Sequence, residues 1–315
     1  MRIFIAGGTG AVGVRMVPLL VAAGHEVYGS TRHEAGCEAL AAMGATGIVM
    51  DPLDAQSVHD AVAKAEPEVV VHQLTALGSL SGNLKKWDQD FAMTNRLRTE
   101  GTDHLLAAAR AAGVRRFIAQ SFGGGWTLER TGGWVKDETD PLIDDPGKEA
   151  RGTLAAIRHL ESAVTAATDL EGVVLRYGNF YGPGNATSRE GALGEMLRKG
   201  KMPVVGGGTG VWSFVHIDDV ASATVAALDR GAPGIYNIVD DEPAPVNQWI
   251  PLLAEEVGGK NPMRLPAWLA RPLLGEFGVA LMTSVRGSSN AKAKRELGWT
   301  PSYATWREGF RTGIG

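Results

Sequence analysis

An apolar run near the start of the chain leads into Gly7-Gly8-Thr9-Gly10-Ala11-Val12-Gly13, a G-x-x-G-x-x-G spacing that opens an amphipathic segment. Each glycine has its own physical use. Gly7 permits a tight turn, Gly10 lets the backbone approach a pyrophosphate, and Gly13 lets a helix pack closely on a strand. The helix start, with Ala11 and Val12, offers amide donors and a positive dipole end to phosphates. The chemistry implied is dinucleotide binding. The next strand ends in Ser30-Thr31-Arg32-His33, with no acid before Glu34. A carboxylate there would hold ribose hydroxyls and repel a 2′-phosphate, whereas arginine favours it. Arg32, helped by Thr31, is therefore read as a 2′-phosphate site, so NADP(H) is expected over NAD(H); a solvated surface arginine is the plainer alternative. Asp51 either contacts the adenine or caps the helix that follows it.

The elements that would position these residues alternate between strand and helix patterns, as in a parallel sheet covered on both faces. Residues 3–6, 27–30, 48–50, 69–74, 117–120 and 173–176 read as strands. Segments 11–23, 34–43, 55–65, 87–112 and 149–167 read as helices. A Gly/Trp/charge-rich loop over 123–148 is long enough to suggest function. Beyond Tyr177 the rhythm degrades into a smaller, irregular lobe, with an apolar, Pro-broken segment at 262–287.

Composition excludes several classes. The chain has 315 residues, 44% hydrophobic and 21% charged, which is ordinary globular usage. Its 42 glycines follow no collagen-like period. A net charge of −4 is a poor match for a nucleic-acid partner. The single cysteine, Cys37, allows no intrachain disulfide, and no metal site is expected. There is neither a signal-peptide pattern nor a run of about 18 apolar residues, so a cytoplasmic protein without membrane contact is expected.

The motifs together resemble the extended short-chain dehydrogenase/reductase superfamily, of the NAD-dependent epimerase/dehydratase type, over nearly the whole chain. They include the glycine trio, Asp51-Pro52-Leu53-Asp54, Val71-His72-Gln73-Leu74-Thr75-Ala76, Asn95 followed by Gly101-Thr102-Asp103-His104-Leu105-Leu106, Leu175-Arg176-Tyr177-Gly178-Asn179-Phe180-Tyr181-Gly182-Pro183-Gly184, Phe214-Val215-His216-Ile217-Asp218-Asp219-Val220-Ala221, and Leu297-Gly298-Trp299-Thr300-Pro301. The resemblance implies a doubly wound parallel α/β (Rossmann) domain over 1–176 and 208–239, and a substrate lobe over 177–207 and 240–315. It adds Pro52, Leu74, Thr75, Ala76, Asn95 and Ser121 to the cofactor-binding residues, with core satisfaction an equal reading for Asn95. It also implies a possible homodimer through the long helices, where Leu154, Ile157, Leu160 and Val164 form an apolar stripe; core burial explains that stripe equally well.

The family's catalytic pattern is absent. Members usually place a Ser or Thr just beyond the fifth strand and Tyr-x-x-x-Lys in the next helix, where the Tyr moves a proton and the Lys lowers its pKa. Here Phe122 takes the hydroxyl position. Thr153 and Ile157 take the Tyr and Lys positions, and residues 123–167 contain no tyrosine. Ser121 and Tyr177 are the remaining catalytic candidates at strand ends, with turn formation and aromatic packing as their respective alternatives. Phe122, Trp126, Asn179 and Trp212 are expected to line the substrate pocket, with Trp134 as a further wall residue. Lys136 and Lys148 are read as solvated, and Asp218 and Asp219 as helix caps. The function expected is an atypical NAD(P)-dependent oxidoreductase that reduces a carbonyl, enone or imine on a small, rather apolar metabolite. A non-catalytic dinucleotide-binding regulator and a sugar-nucleotide epimerase or dehydratase with a displaced acid are the alternatives.

Overall fold

The computed structural model describes residues 1–78 and 81–315. Its centre is a seven-stranded parallel sheet: β1 (Arg2–Ala6), β2 (Glu26–Thr31), β3 (Thr46–Val49), β4 (Val69–His72), β5 (Arg116–Phe122), β6 (Glu171–Tyr177) and β7 (Gly234–Ile238). The spatial order is β3-β2-β1-β4-β5-β6-β7. The chain winds outward from β1 to β3, then returns to pair β4 with β1, Ile3 opposite Val69. That reversal opens a crevice at the carboxyl ends of β1 and β4, the place where such sheets bind ligands.

The strand pleat sorts the core. Ile3 and Ile5 point to one face, and Phe4 and Ala6 to the other. The first face is covered by α1 (Gly13–Ala22) and α9 (Ile217–Ala226). The second is covered by α3 (Ala55–Ala65), α6 (Glu100–Ala111) and α7 (Arg151–Thr165). The remaining helix of this half, α2 (Glu34–Ala42), sends Leu40 into the first cluster.

The expected helix over 87–112 is three pieces: α4 (Trp87–Asp90), α5 (Ala92–Arg98) and α6. Thr99, with φ −98° and ψ −85°, breaks it. The apolar stripe Leu154, Ile157, Leu160 and Val164 is buried inside the chain, so it offers no free face to a second copy.

The second lobe has its own core, in which Trp249, Trp306, Phe214 and Phe310 meet. It is built on α8 (Ala192–Arg198), α10 (Val246–Glu256), α11 (Ala267–Thr283) and α13 (Trp306–Thr312). Gly275, at φ +76° and ψ 175°, kinks α11. Residues of α12 (Ala291–Leu297) and Trp299 instead pack into the core of the large sheet, although the sequence pattern places them in the lobe.

Candidate active site

The glycine loop has the geometry its spacing implies. Gly7 lies at φ +92°, and its N–H donates to Ser30 Oγ at 3.0 Å. A Cβ on Gly13 would sit 2.3 Å from the Gly8 carbonyl oxygen, so only glycine lets α1 start this close to the turn. A Cβ on Gly10 would meet only the Gly7 carbonyl oxygen, at 3.3 Å, which leaves open space above the exposed 9–11 segment. Pro52 is buried. Asp51 closes a turn onto the Leu53 N–H, and Asp54 is the residue that caps α3, through the Gln56 and Ser57 amides. Thr31 ends β2 half-buried against Gly36, and Arg32 follows it, exposed.

The opposite wall of the crevice follows β4. The Gln73 carbonyl oxygen would lie 3.2 Å from a Gly7 Cβ, with Leu74 beside it. The exposed Thr75 follows, and the Ala76 N–H donates to Thr94 Oγ1 at 3.0 Å. Burial holds the His72 imidazole down at about 4. The Leu74 N–H points at its Nδ1, 3.2 Å away, which assigns the ring proton to Nε2, facing Thr102 Oγ1 at 3.1 Å. Gln73 Oε1 and Asn95 Oδ1 are shielded acceptors with no partner. Open space over Gly10 and helix-start amides without a backbone partner fit the phosphates of a dinucleotide.

The two catalytic candidates are committed elsewhere. Tyr177 is buried at 1% exposure. Its hydroxyl bonds Gln73 Nε2 and Thr224 Oγ1, each at 2.7 Å, and burial pushes its pKa up to about 12. It is a packing tyrosine under α9, not a phenol in the crevice. The strand period held the signal, because Val173, Leu175 and Tyr177 share one face. Ser121 Oγ donates to Glu161 Oε1 at 2.7 Å, and Glu161 also takes a two-pronged bond from Arg176 at 2.8 and 2.7 Å. Arg98 lies near this carboxylate, pushed down to about 10 by burial. Ser121 thus belongs to a buried charge network that ties β5 and β6 to α7.

Thr153, which the sequence pattern aligns with the family's tyrosine, is fully buried, and its hydroxyl donates to Asp88 Oδ1 at 2.7 Å. Asp88 also accepts from the Gly152 and Thr153 amides at 2.7 and 2.8 Å. It caps α7 from outside, since Ala150 supplies no side-chain cap. Asn95 Nδ2 donates to Thr153 Oγ1 at 3.1 Å. The Thr153 hydroxyl thus donates to Asp88 and accepts from Asn95.

Beside this cluster stands an aromatic wall. Trp126 meets Trp87, Phe277 and Phe122 at ring-centroid distances of 5.9, 5.3 and 6.2 Å. Trp87 meets Phe277 at 5.1 Å. The indole Nε1 donors of Trp87 and Trp126 have no partner. Sequence reasoning missed Trp87, which it left inside a long helix, and it saw Phe277 only as part of an apolar segment.

Other expectations need correction. Trp212, half-buried, lies where the core of the second lobe, 4.8 Å away at Trp249, meets the Trp126–Phe277 cluster, and its indole donates to the Leu281 carbonyl. Asn179 Nδ2 ties the Gly124 and Ser213 carbonyls, a structural brace. Trp134 is 47% exposed beneath Arg286 instead of walling a pocket. Lys136 is buried and paired with Asp140 at 2.9 Å. Asp219 does not cap α9; His216 does, and Asp219 accepts from the Ser302 and Tyr303 amides. Among the described residues no group of acids, histidines and cysteines could hold a metal ion, and no helix is long and apolar enough to cross a membrane.

Residues 3–239 match the model of the NAD dependent epimerase/dehydratase family. The chain is 45% identical, over 98% of its length and 99% of the relative's, to a 3-diazoavenalumate denitrifying reductase of Streptomyces sp. It is 28% identical to a 2-alkyl-3-oxoalkanoate reductase of Stenotrophomonas maltophilia, covering 99% of this chain and 98% of that one. Among solved structures it resembles the UDP-glucose 4-epimerase of Thermus thermophilus in complex with NAD. There the TM-score is 0.74 and the identity 27%, over 100% of this chain and 98% of that one.

Proposed function

Because the chain belongs to the NAD-dependent epimerase/dehydratase family, and therefore works with a nicotinamide dinucleotide, we infer that it is a reductase of electron-poor aromatic compounds that need no proton from the protein. The observation that carries this reading is the reacting position itself. Phe122, Thr153 and Ile157 stand where proton-moving groups would be, Thr153 has its proton on Asp88, and Tyr177 is locked in the core. Reduction of a ketone leaves an alkoxide that must be protonated. A diazonium-type carbon does not impose that demand. A reduced nicotinamide, held by the glycine loop, would supply the hydride that such a carbon needs, and the C–N electron pair would leave with N2. The diazo substrate and denitrifying reaction in the name of the 45% relative support the same class.

The residues of this chain then bind, orient and exclude water. The amides after Gly10 take the pyrophosphate, and Arg32 takes a 2′-phosphate, making NADPH the preferred donor. The half-buried rings of Trp87 and Phe122, backed by the buried Trp126 and Phe277, hold an aromatic ring by edge and face contacts, and their π faces favour a ring that carries positive charge.

The test is NADPH consumption by the purified protein with an arenediazonium salt, a cyclic enone and an aryl ketone, each against its uncatalysed rate. Turnover of the diazonium salt with equimolar release of N2 is expected, with little or none on the ketone. Ketone turnover with silence on the diazonium salt would overturn the reading.

A further inference from the structure

Resting on that reductase reading, the geometry points to a carboxylate subsite formed by Arg130 and Arg286 at the edge of the aromatic cluster, so that the substrate is an aromatic acid and not a neutral arene. Arg130 lies four residues beyond Trp126, and Arg286 follows Val285, which shares a buried cluster with Trp126 and Phe277. The two segments touch: a Cβ on Gly125 would lie 2.2 Å from the Arg286 carbonyl oxygen.

The Arg286 guanidinium is held in place, and both guanidiniums keep donors without a partner. Arg286 Nη2 donates to the Arg130 carbonyl and Nη1 to the Ser284 carbonyl, while its central carbon sits 3.8 Å from the Trp134 ring centroid. Nε and Nη2 of Arg130 and Nε of Arg286 are shielded from water and have no partner. Burial pushes the pKa of both side chains down, and for Arg130 the nearby Arg286 adds to the effect. Neither of the two acids that bear on Arg130 completes it. Glu129 turns back to accept from the Arg130 and Thr131 amides, and Asp145 pairs with Arg151.

Shielded, unpaired donors on two neighbouring cations are costly unless an anion completes them. A planar carboxylate matches the arginine fork. The glycine loop already accounts for the phosphates of the dinucleotide, which leaves this pair for the substrate. A ring seated against the half-buried Phe122 and Trp87, in front of the buried Trp126, would extend a short acidic tail toward Arg286.

Calorimetric titration of the full chain, saturated with NADP⁺, with cinnamate and with methyl cinnamate tests this without turnover. Cinnamate is expected to bind about tenfold tighter than the ester, or more, as charge-assisted hydrogen bonds imply. Arg130→Gln and Arg286→Gln should each remove most of that preference and leave ester binding and the thermal shift by NADP⁺ unchanged. Arg286→Lys, which keeps the charge but loses the fork, carries the test if the glutamine variant does not fold, and should lose part of the preference. Equal binding of acid and ester, a preference that survives all three variants, or binding of neither would overturn the subsite. A cinnamate preference that the variants remove, in a protein silent on diazonium salts, would uphold the subsite and overturn only the reductase reading.

Discussion

The two sides of the crevice are made in opposite ways. The phosphate-facing loop comes from one short stretch, Gly7 to Gly13, whose geometry is set by backbone sterics among near neighbours. The reacting side is assembled from Trp87, Asn95, Phe122, Trp126, Thr153 and Phe277, which arrive from segments scattered over nearly two hundred residues. A local site tolerates almost nothing at its few special positions. A converged site spreads its requirements over many residues, each held by packing that also serves the fold. At Thr153 the side chain meets Asp88, which also caps the helix, whereas no neighbour can make room for a side chain at Gly13.

The strongest test of this contrast is Gly13→Ala. Its Cβ meets the backbone oxygen of Gly8 at 2.3 Å, so a loss of about 3 kcal/mol or more in urea unfolding is expected. The stabilisation by NADPH, about 2.7 kcal/mol at a hundred times its Kd, should vanish with it. If Gly13→Ala kept both stability and cofactor binding, the local account of the loop would be wrong.

Acid should affect the cofactor side almost as strongly. The fold holds His72 neutral at about 4 against an ordinary 6.5, so the unfolded chain binds a proton that the folded chain refuses. The stability from this group is complete above pH 6.5 and is lost as the pH falls toward 4. The amount is about 3 kcal/mol. Because protonation of Nδ1 breaks its bond from the Leu74 N–H, NADPH binding should weaken over the same window. Denaturation and NADPH titrations at a series of pH values, with His72→Gln as the pH-insensitive reference, check this.

Tyr177→Phe probes the reacting side at lower cost. It removes the hydroxyl bonded to Gln73 and Thr224, and a loss of about 1–3 kcal/mol is expected. Because the phenol serves packing, kcat for whatever substrate is found should hardly change. A collapse of kcat with stability kept would restore Tyr177 as the proton donor. The smallest structural effect is expected of Arg32→Ala: no measurable change in stability, and a drop of about tenfold or more in the preference for NADPH over NADH, read from thermal shifts with the two cofactors.

Much of this architecture was legible in the residues. The glycine trio, the continuous apolar strands and the alternation of strand with helix announced a doubly wound sheet, because each of these signals depends on a handful of adjacent residues. The lack of any tyrosine in residues 123–167 was legible for the same reason, since it holds in every register. The roles of the residues that remained were harder to read. Ser121 and Tyr177 both sit at strand ends, but neighbouring strand positions face opposite sides of a sheet. Ser121 met a carboxylate on α7, and Tyr177 met Gln73 and Thr224 beneath α9. The run of charges and tryptophans in the 123–148 loop had no period from which to tell Trp126, buried against Trp87 and Phe277, from Trp134, exposed under Arg286.

Short-range sterics and strand periodicity thus established the doubly wound fold directly from the order of the residues. Which side chains surround the reacting position, which hydroxyls retain a free proton, and which arginines lack a partner depended on contacts between residues far apart in the chain. Such contacts form only when helices and loops pack, and their energies depend on burial and on the partners met there, neither of which is written into any single stretch of sequence.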